Sequence, residues 1–525
     1  MTTDALQATI NTLTKVVEQH DEALKIAHLT IDKLKIELSY LKRMQYGRSS
    51  ERLDHDGQLE LMDSGMAPVP AANDPAASNV APIEQGSKKR TAKPHHGLRE
   101  LPAHLPRETI VHNPQGGCNC AECGAGLREI GQDVSEVLEY DPGKFHVIRH
   151  VRPKLACAGC QSIIQAPAPS RPIDRGMAGA GLMTHVLVSK YADHTPLYRL
   201  SQIYARDGVD LAPSTLGDLV GGAAWLLTPL AQALGRYVLG GSKVHGDDTP
   251  IRVLGGAKNK AKTGRMWVYV RDDRASADAA PPAVWFQYSA NRKGEHPQRH
   301  LLKFRGILQA DAYSGYDRLF EDGRIVEAAC WSHARRKYYD IHEQQHKLPG
   351  TLAHQALERI AKIFAIEADI QGQTPDVRIR ERQNRTRPIL DGLQSWCNDT
   401  LGQISAKSPM AGAIGYSLGN WRALTRFVDD GRMEAHNNIA ERALRGVAIG
   451  RKNYLHLGSD SGGERAAVIY TLLGTAKLNG LNPQAYLRFV LERIADHAVN
   501  RIDELLPWVV AGQINTAIVE QRLAA

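Results

Sequence analysis

The order of strands and helices between residues 243 and 330 limits the fold of this 525-residue chain more than any other feature of its sequence. Three apolar stretches are predicted as strands, namely Val244 to Leu254, Met266 to Val270 and Val284 to Tyr288. A helix around Gln298 to Lys303 then precedes a fourth strand, Gly306 to Asp311. Another helix precedes a fifth strand, Val326 to Cys330. This order predicts an α/β domain with Asp247 on its first strand and Asp311 at the end of its fourth.

The RNase H fold has this order of elements, with one acidic residue on strand one, a second just past strand four and a third on a later helix. Residues 350 to 430 are mostly helical in pattern and interrupt the domain, and a new helix is predicted to begin within His436 to Arg442. At about 100° per residue, one arc of this helix is apolar and contains Ile439, Ala440, Ala443, Leu444 and Val447. The opposite arc is polar and contains Asn437, Asn438, Glu441 and Arg445. Glu441 is therefore predicted to face the active site of an RNase H-like core.

Asp247, Asp311 and Glu441 are the residue types that metal-dependent phosphodiester chemistry needs. Two divalent ions held about 3.5–4 Å apart activate an attacking oxygen and stabilise a leaving oxygen in line across phosphorus. Mg²⁺, or Mn²⁺ in its place, prefers carboxylate oxygens. We expect Asp247 to bridge two such ions, and Asp311 and Glu441 to bind one each. The alternative for each residue is a solvated surface charge, which their common placement in one fold disfavours.

Residues 1–53 carry a heptad pattern. Positions spaced alternately by four and three residues run from Leu6 to Leu41, and all of them are apolar except His20. This period predicts a coiled coil that makes a homodimer or a higher oligomer. The alternative is a helix packed on its own domain.

Residues 54–107, rich in Pro, Ala, Gly and Ser, are expected to form a flexible linker.

Two CxxC pairs predict a small zinc-binding β domain at residues 108–165. Cys120 and Cys123 form the first pair and Cys157 and Cys160 the second, with short strands predicted at 136–140 and 145–151 between them. Four thiolates make a closed, structural Zn²⁺ site. The alternative is four unligated thiols, and Cys118 is a spare that could replace Cys120.

Residues 166–236 are predicted to form a helical DNA-binding domain. One helix runs through Leu197 and Tyr204 and stops at Gly208, and a second begins at Pro213. Two short helices joined by a turn that contains glycine are typical of a helix-turn-helix unit. An ordinary helical hairpin has the same pattern.

Six basic residues near the predicted site are candidates for contacts with DNA phosphates: Arg442, Arg445, Arg451, Lys452, Arg335 and Arg336. The alternative is charge balance for the acidic cluster and ordinary solvation. His333 is either a DNA contact or a satisfied core histidine. The remaining candidates are interpreted as core residues, namely Trp331, Trp396, Trp421, Cys330 and Cys397.

Composition narrows the class of protein further. The net charge of +8 favours a polyanionic partner such as double-stranded DNA, because neutralised phosphates release counterions. No apolar run approaches the roughly 20 residues of a membrane helix, and the N-terminus is polar, unlike a secretory signal. We therefore expect a cytoplasmic protein associated with the bacterial nucleoid. No phosphate-binding loop or Rossmann fingerprint is found, so ATP use is not implied.

Nearly the whole chain resembles transposases of the insertion sequence 66 family. The N-terminal motifs that carry the resemblance are the zipper ending in Lys42-Arg43-Met44-Gln45-Tyr46-Gly47-Arg48, the CxxC pairs and Ser189-Lys190-Tyr191-Ala192-Asp193-His194. Later motifs are Asp247-Asp248-Thr249-Pro250, Asp311-Ala312-Tyr313-Ser314-Gly315-Tyr316, Cys330-Trp331-Ser332-His333-Ala334-Arg335-Arg336-Lys337, Asn437-Asn438-Ile439-Ala440-Glu441-Arg442 and Gly450-Arg451-Lys452-Asn453-Tyr454. The resemblance implies a DDE triad at Asp247, Asp311 and Glu441. Where the family commonly has Asp-Glu-Thr, this chain has Asp247-Asp248-Thr249, which introduces Asp248 as an alternative carboxylate.

The expected function is that of a DDE-type transposase. The core would comprise residues 237–345 and 431–480, with a helical insertion at 346–430 and a C-terminal helical tail at 481–525. Such an enzyme recognises the ends of its element, hydrolyses phosphodiester bonds there and joins strands by transesterification, with accessory proteins of the same element as candidate partners. One alternative is an RNase H-like nuclease without strand transfer. Another is an inactive DNA-binding regulator, which the presence of all three carboxylates disfavours.

Overall fold

The computed structural model describes residues 101–113, 127–141, 143–157, 160, 163–173, 176–254 and 261–514. The predicted coiled coil of residues 1–53, almost all of the predicted linker, and Cys118, Cys120 and Cys123 lie outside the described residues. Within the described part, the chain is a mixed α/β structure with two sheets, each of which combines parallel and antiparallel pairs.

The first sheet is built around a long hairpin. Its strands are β1 (Arg107–Val111), β2 (Leu127–Asp141), β3 (Lys144–Cys157) and β4 (Ile163–Gln165). β3 pairs with β2 and β4 in antiparallel fashion and with β1 in parallel. Gly143 turns the chain between β2 and β3 at φ +94°, which a residue with a Cβ rarely adopts. The sequence predicted only the parts of β2 and β3 next to the turn, residues 136–140 and 145–151. In the rest of β2, exposed polar residues such as Glu129 and Gln132 break the apolar alternation.

Three helices follow: α1 (Ala180–Tyr191), α2 (Leu197–Arg206) and α3 (Pro213–Leu239). The turn at Gly208 (φ +76°) and the start of α3 at Pro213 agree with the sequence prediction. The prediction of a short second helix is wrong, because α3 is 27 residues long. Its later part packs on the second sheet, where a Cβ on Gly235 would lie 2.7 Å from Nε1 of Trp285. A helix-turn-helix role for α2 and the first turns of α3 stays a prediction.

The second sheet contains Asp247, and Asp311 follows one of its strands. Its strands are β5 (Lys243–Val253), β6 (Lys262–Arg271), β7 (Ala283–Ser289), β8 (Gly306–Gln309) and β9 (Ile325–Ala328), in the spatial order β7-β6-β5-β8-β9. β5, β6 and β7 are antiparallel, whereas β5, β8 and β9 run parallel. Parallel neighbours need a crossover, and the short helices α4 (Glu295–His300) and α5 (Asp317–Phe320) lie in these connections.

All five predicted strands of this sheet are present, but some element ends differ. β8 ends at Gln309, two residues before Asp311, because the chain leaves the ladder for a turn at Ser314–Tyr316. β9 ends at Ala328, and Cys330 is the N-cap residue of the next helix rather than the end of a strand. α4 begins earlier than predicted, at Glu295, because Pro297 in its first turn is compatible with a helix start.

A helical region follows β9. It contains α6 (Trp331–Gln344), α7 (Leu352–Asp369), α8 (Pro375–Glu381), α9 (Arg387–Leu401), α10 (Pro409–Gly419) and α11 (Trp421–Thr425). Trp331 is fully buried and donates from Nε1 to the carbonyl of Leu424 at 2.8 Å. Cys397 is buried in the same core, and Trp396 and Trp421 are partly buried against it. These residues are core residues, as predicted.

A buried arginine joins α7 to the segment that leads back to the sheet. Arg382, between α8 and α9, has no exposed surface. Its guanidinium donates to both carboxylate oxygens of Glu367, at 2.8 and 2.6 Å. It also donates to the backbone carbonyls of Phe427, Asp430 and Met433. The helical region is therefore anchored by a fully satisfied buried ion pair.

The described chain returns to the second sheet with α12 (Asn438–Tyr454) and α13 (Asp460–Leu478), and α14 (Pro483–Leu491) then packs on α1 and α13. α12 packs over β5 and β6, and α13 packs on β7. The hydroxyls of Thr471 and Thr475 accept the backbone N–H groups of Phe286 and Val284, at 2.9 and 3.2 Å. α13 thus covers the edge strand, whose N–H groups would otherwise lack partners.

Candidate active site

The pairing of β5 with β8 brings Asp247 and Asp311 side by side. The two strands are parallel neighbours, and their register places His245 opposite Gln309. Asp247 and Asp311 each lie two residues beyond that pair, where the strands separate. Asp247 is half-buried within β5, and the Asp311 side chain is 22% exposed in the loop after β8.

Glu441 reaches the same place from the first turn of α12, with its side chain 12% exposed. Burial raises the pKa of Asp247 well above its usual value, and the carboxylates of Asp311 and Glu441 raise it further, although His333 opposes them. Three separate segments of the chain therefore bring the three predicted carboxylates together. Buried, mutually repelling carboxylates are suited to hold hard divalent cations through their oxygens.

A buried asparagine joins the start of α12 to β5. Asn437 has no exposed surface, and its Nδ2 donates to the carbonyl of Gly246 at 2.8 Å. Its Oδ1 accepts from Nδ1 of His245 at 3.1 Å, and burial together with Lys243 lowers the pKa of His245 to about 4. Gly246 precedes Asp247 directly, so Asn437 sets the separation between β5 and the helix that carries Glu441. The sequence placed Asn437 on the polar arc beside Glu441, whereas it precedes the helix and points into the core.

A second buried group lies beneath the carboxylates, and the sequence analysis missed it. Nζ of Lys243, which has no exposed surface, lies 3.3 Å from Oε1 of Glu434 and 3.6 Å from Oδ1 of Asp273. The backbone N–H of Glu434 donates to Oε1 of Gln309 at 3.1 Å, and its carbonyl accepts from Nε2 of the same side chain. Although burial raises the pKa of Glu434, the charge of Lys243 holds it below its usual value. These contacts fasten the segment before α12 to both β5 and β8.

Asp248 is already paired with two arginines. Its side chain is 1% exposed, with Oδ2 at 3.0 Å from Nη1 of Arg265 and Oδ1 at 2.9 Å from Nη2 of Arg292. Nη2 of Arg292 also lies 3.5 Å from Oδ2 of Asp311, and its guanidinium stacks 4.0 Å from the centre of the Tyr313 ring. Asp248 thus lies in an ion-pair network beside the three carboxylates. Nothing in the local sequence marked Arg292, because its partners come from β5 and from the loop after β8.

His333 lies at the edge of the carboxylate cluster, not in the core. Its Nδ1 is 3.8 Å from Oε1 of Glu441, and its side chain is 35% exposed. Burial alone lowers the pKa of His333, but Cys330, Glu441 and Asp247 together raise it to about 10. The spacing Cys330-x-x-His333 was the signal in the sequence that could have identified it.

The six predicted DNA-binding residues differ in their exposure. Arg442 and Lys452 are exposed, whereas Arg445, Arg451, Arg335 and Arg336 are half-buried. Arg451 donates to the carbonyl of Pro250 in β5, and the guanidinium of Arg335 lies 5.6 Å from the centre of the Tyr339 ring. At least these two also make contacts within the protein. A role in DNA binding stays a prediction for all six.

The described residues include only the second cysteine pair of the predicted zinc site. Cys157, the last residue of β3, is buried, and Cys160 is exposed. The backbone N–H of Cys160 donates to Sγ of Cys157 at 3.4 Å. Such a contact orients the sulfur, as hydrogen bonds to metal ligands do.

Protein-family models match four parts of the chain. A model described as the Transposase IS66 family matches residues 175–465, which include Asp247, Asp311 and Glu441. A model of the IS66 C-terminal element matches residues 471–508. The zinc-finger binding domain of transposase IS66 matches residues 118–161, and a model described as Transposase C of IS166 homeodomain matches residues 33–110. The chain belongs to the IS66 transposase family.

Similar proteins of nearly the same length occur in Sinorhizobium fredii (strain NBRC 101917 / NGR234). The uncharacterized protein y4hP is 37% identical, over 90% of this chain and 88% of its own length. The uncharacterized protein y4jD is 36% identical, over 92% of this chain and 95% of its own length. Membership of the IS66 family supports the assignment of this chain as a transposase with a zinc-finger domain. Within the described residues, no helix is both long enough and apolar enough to cross a membrane.

Proposed function

We propose that this IS66 family protein is a DDE-type transposase that recognises the ends of its insertion sequence, cleaves DNA there and joins the ends to target DNA. The observation that carries the proposal is the meeting of Asp247, Asp311 and Glu441 from β5, the loop after β8 and α12. The sheet order β7-β6-β5-β8-β9, with three antiparallel strands followed by two parallel ones, supports an RNase H-like core. The helical region between β9 and α12 would then be an insertion into that core.

Divalent metal ions fit this cluster. The raised pKa of Asp247 reflects burial and repulsion among carboxylates, which bound cations would offset. Asp247, Asp311 and Glu441 would together hold two Mg²⁺ or Mn²⁺ ions. When bound, such ions would activate the attacking oxygen and stabilise the leaving oxygen.

The remaining residues of the site position these ligands. Asn437 and Glu434 fasten the start of α12 to β5 and β8, so the three carboxylates keep their separation before any ligand arrives. Arg292 holds Asp311 and Asp248 from the side of β7. Arg442 and Lys452, exposed on the helix that carries Glu441, would contact DNA phosphates.

We also propose one structural Zn²⁺ bound by Cys120, Cys123, Cys157 and Cys160. The contact from the Cys160 N–H to Cys157 and the match to a zinc-finger family model support it. Four thiolates leave no open coordination position, so this ion stabilises a fold and takes no part in cleavage. The coiled coil at residues 1–53 would join two or more copies, so that both ends of the element meet in one complex with double-stranded DNA and accessory proteins of the element.

The test is Mg²⁺-dependent cleavage of DNA carrying the element's own ends, in the wild type, in Asp311→Asn and in Asp399→Asn. Asp399 is an exposed carboxylate on α9 and serves as the matched control. We expect cleavage by the wild type and the control, and a loss of at least about 10²-fold in Asp311→Asn, since a metal ligand is removed. Equal cleavage by all three proteins would overturn the assignment of the site.

The products of this reaction distinguish a transposase from the two alternative functions. Joined molecules that contain both an element end and target DNA are expected of a transposase. Cleavage without joined products would identify an RNase H-like nuclease. Tight binding to the ends without cleavage, even with the element's accessory proteins present, would identify a regulator.

A further inference from the structure

A second group of metal-ligating side chains adjoins the three carboxylates. One ligand atom each from Cys330, His333 and Glu441 lies within 4.8 Å of the other two. Cys330 is the N-cap residue of α6 and His333 lies in its first turn, so the CxxH spacing puts both on one side of the helix start. Glu441 comes from α12. Two elements that are distant in sequence therefore bring a thiol, an imidazole and a carboxylate together.

The sulfur is held in the orientation of a ligand. The backbone N–H of Asn437 donates to Sγ of Cys330 at 3.1 Å. The N-terminus of α6 also favours negative charge at its cap residue. Cys330 itself is 1% exposed, but the group opens to solvent through His333, which is 35% exposed. An ion can therefore reach the sulfur from the side of the active site.

The imidazole can serve as a ligand, because a bound cation displaces its proton. Nδ1 of His333 is buried, with Oε1 of Glu441 3.8 Å away, and the side-chain partner of the imidazole is the thiol of Cys330. In a tetrahedral zinc site with bonds of about 2.0–2.3 Å, ligand atoms lie roughly 3.5 Å apart. Side-chain rotations that bring the three atoms about 1 Å closer would complete three of four coordination positions.

The ligand set selects the kind of ion. Thiolate and imidazole ligands favour Zn²⁺ and similar borderline or soft cations, whereas Mg²⁺ prefers oxygen ligands alone. We propose that Cys330, His333 and Glu441 form a binding site for Zn²⁺ or a chemically similar cation, and that its occupancy withdraws Glu441 from the Mg²⁺ ligands. Only this second part, the inhibition of cleavage, rests on the proposed function. The site is distinct from the predicted four-cysteine zinc site, with which it shares no residue.

Binding is tested on the full-length protein with its structural zinc retained. Co²⁺ is added in a small excess over protein, with Mg²⁺ in large excess to fill the carboxylate site, and the thiolate-to-cobalt absorption is measured. We expect an absorption that saturates at one additional equivalent of Co²⁺ per chain in the wild type and is absent in Cys330→Ala and His333→Ala. Cys397→Ala is the matched control, because Cys397 is also a buried cysteine but lies in the helical core.

Three results of the binding experiment are decisive. Loss of the thiolate-to-cobalt absorption in His333→Ala supports the site even if Cys330→Ala folds poorly, because His333 is at a half-exposed position. Equal uptake by the wild type and His333→Ala overturns the proposal. Loss of the additional equivalent in Cys397→Ala, with the circular dichroism spectrum unchanged, also overturns it, since the absorption would then come from another thiol.

Inhibition is tested in the cleavage assay. Zn²⁺ in a small excess over protein, with Mg²⁺ in large excess, is expected to lower cleavage by the wild type at least tenfold. His333→Ala should retain its own zinc-free rate under the same conditions. Additional metal binding without inhibition would refute the sharing of Glu441. Absence of cleavage with Mg²⁺ alone would count against the proposed function, while the cobalt measurement would still decide the metal site.

Discussion

Asn437→Ala removes the side chain that joins the start of α12 to β5. Two buried contacts are lost: the donor to the carbonyl of Gly246 at 2.8 Å and the acceptor for Nδ1 of His245 at 3.1 Å. Each leaves a buried polar group without its partner, at about 1–3 kcal/mol apiece. We therefore expect the free energy of unfolding to fall by about 2–6 kcal/mol.

The same substitution should also lower the rate of cleavage under conditions in which the variant remains folded. Gly246 precedes Asp247, and Glu441 lies in the first turn after Asn437, so the loss of this contact lets the two carboxylates move apart. A displacement of about 1 Å at a reacting centre can cost about 10²-fold in rate. The assays are urea denaturation of the metal-free protein and Mg²⁺-dependent cleavage at a temperature where the variant remains folded.

Asn438→Ala is the matched control for this prediction. Asn438 is half-buried, and its Oδ1 accepts one hydrogen bond, from Oγ of Ser332 at 3.0 Å. Its loss should cost about 0.5–1.5 kcal/mol. Equal destabilisation by both substitutions, or a loss below about 1 kcal/mol in Asn437→Ala with an unchanged denaturant slope, would contradict this prediction.

Three further predictions concern charge. In chemical denaturation with EDTA present, Asp247→Asn should raise the free energy of unfolding at about pH 7.5 but not at about pH 4. Folding raises the pKa of Asp247, so this residue costs the wild type no stability below the pKa of the unfolded state. The free energy of unfolding of the wild type then declines as the pH rises through the pKa of the folded state. Arg382→Ala should destabilise the protein by about 3–5 kcal/mol in the same assay, because Glu367 keeps only Arg378, at 3.6 Å, and three buried backbone carbonyls lose their donor; a loss below about 1 kcal/mol would contradict this. Arg442→Ala should weaken binding to DNA of any sequence and reduce the slope of log K against log salt by about 1, and an unchanged slope would remove this residue from the predicted interface.

The strands of the second sheet were predictable because their signal is local. Apolar runs such as residues 266–270 and 306–310 contain the information within a few neighbouring residues, and the order of strands and helices follows directly. The prediction of where the strands end was less accurate. β8 ends at Gln309 because its neighbours stop pairing there, which depends on residues elsewhere in the chain.

The length of α3 shows tertiary packing overriding local preference. Gly221, Gly222 and Pro229 disfavour a helix, yet α3 continues through all three. The two glycines lie where Arg465 and Ile173 approach the helix closely, and a Cβ at either position would come within 2.9 Å of those side chains. Close packing needs small residues here, so residues that weaken the helix locally allow it to dock.

Short-range patterns in the sequence were sufficient to predict which carboxylates meet, because those patterns set the place of each carboxylate in the order of elements. How the carboxylates are held depends on contacts between distant parts of the chain. Lys243 and Glu434 are 191 residues apart, as are Gly246 and Asn437, and no local pattern relates the members of either pair. Likewise His333 changed from a candidate core residue to a neighbour of Glu441 when α6 and α12 met beside β5. Hydrogen bonds and charges act over a few ångströms of space, so their partners depend on the complete fold.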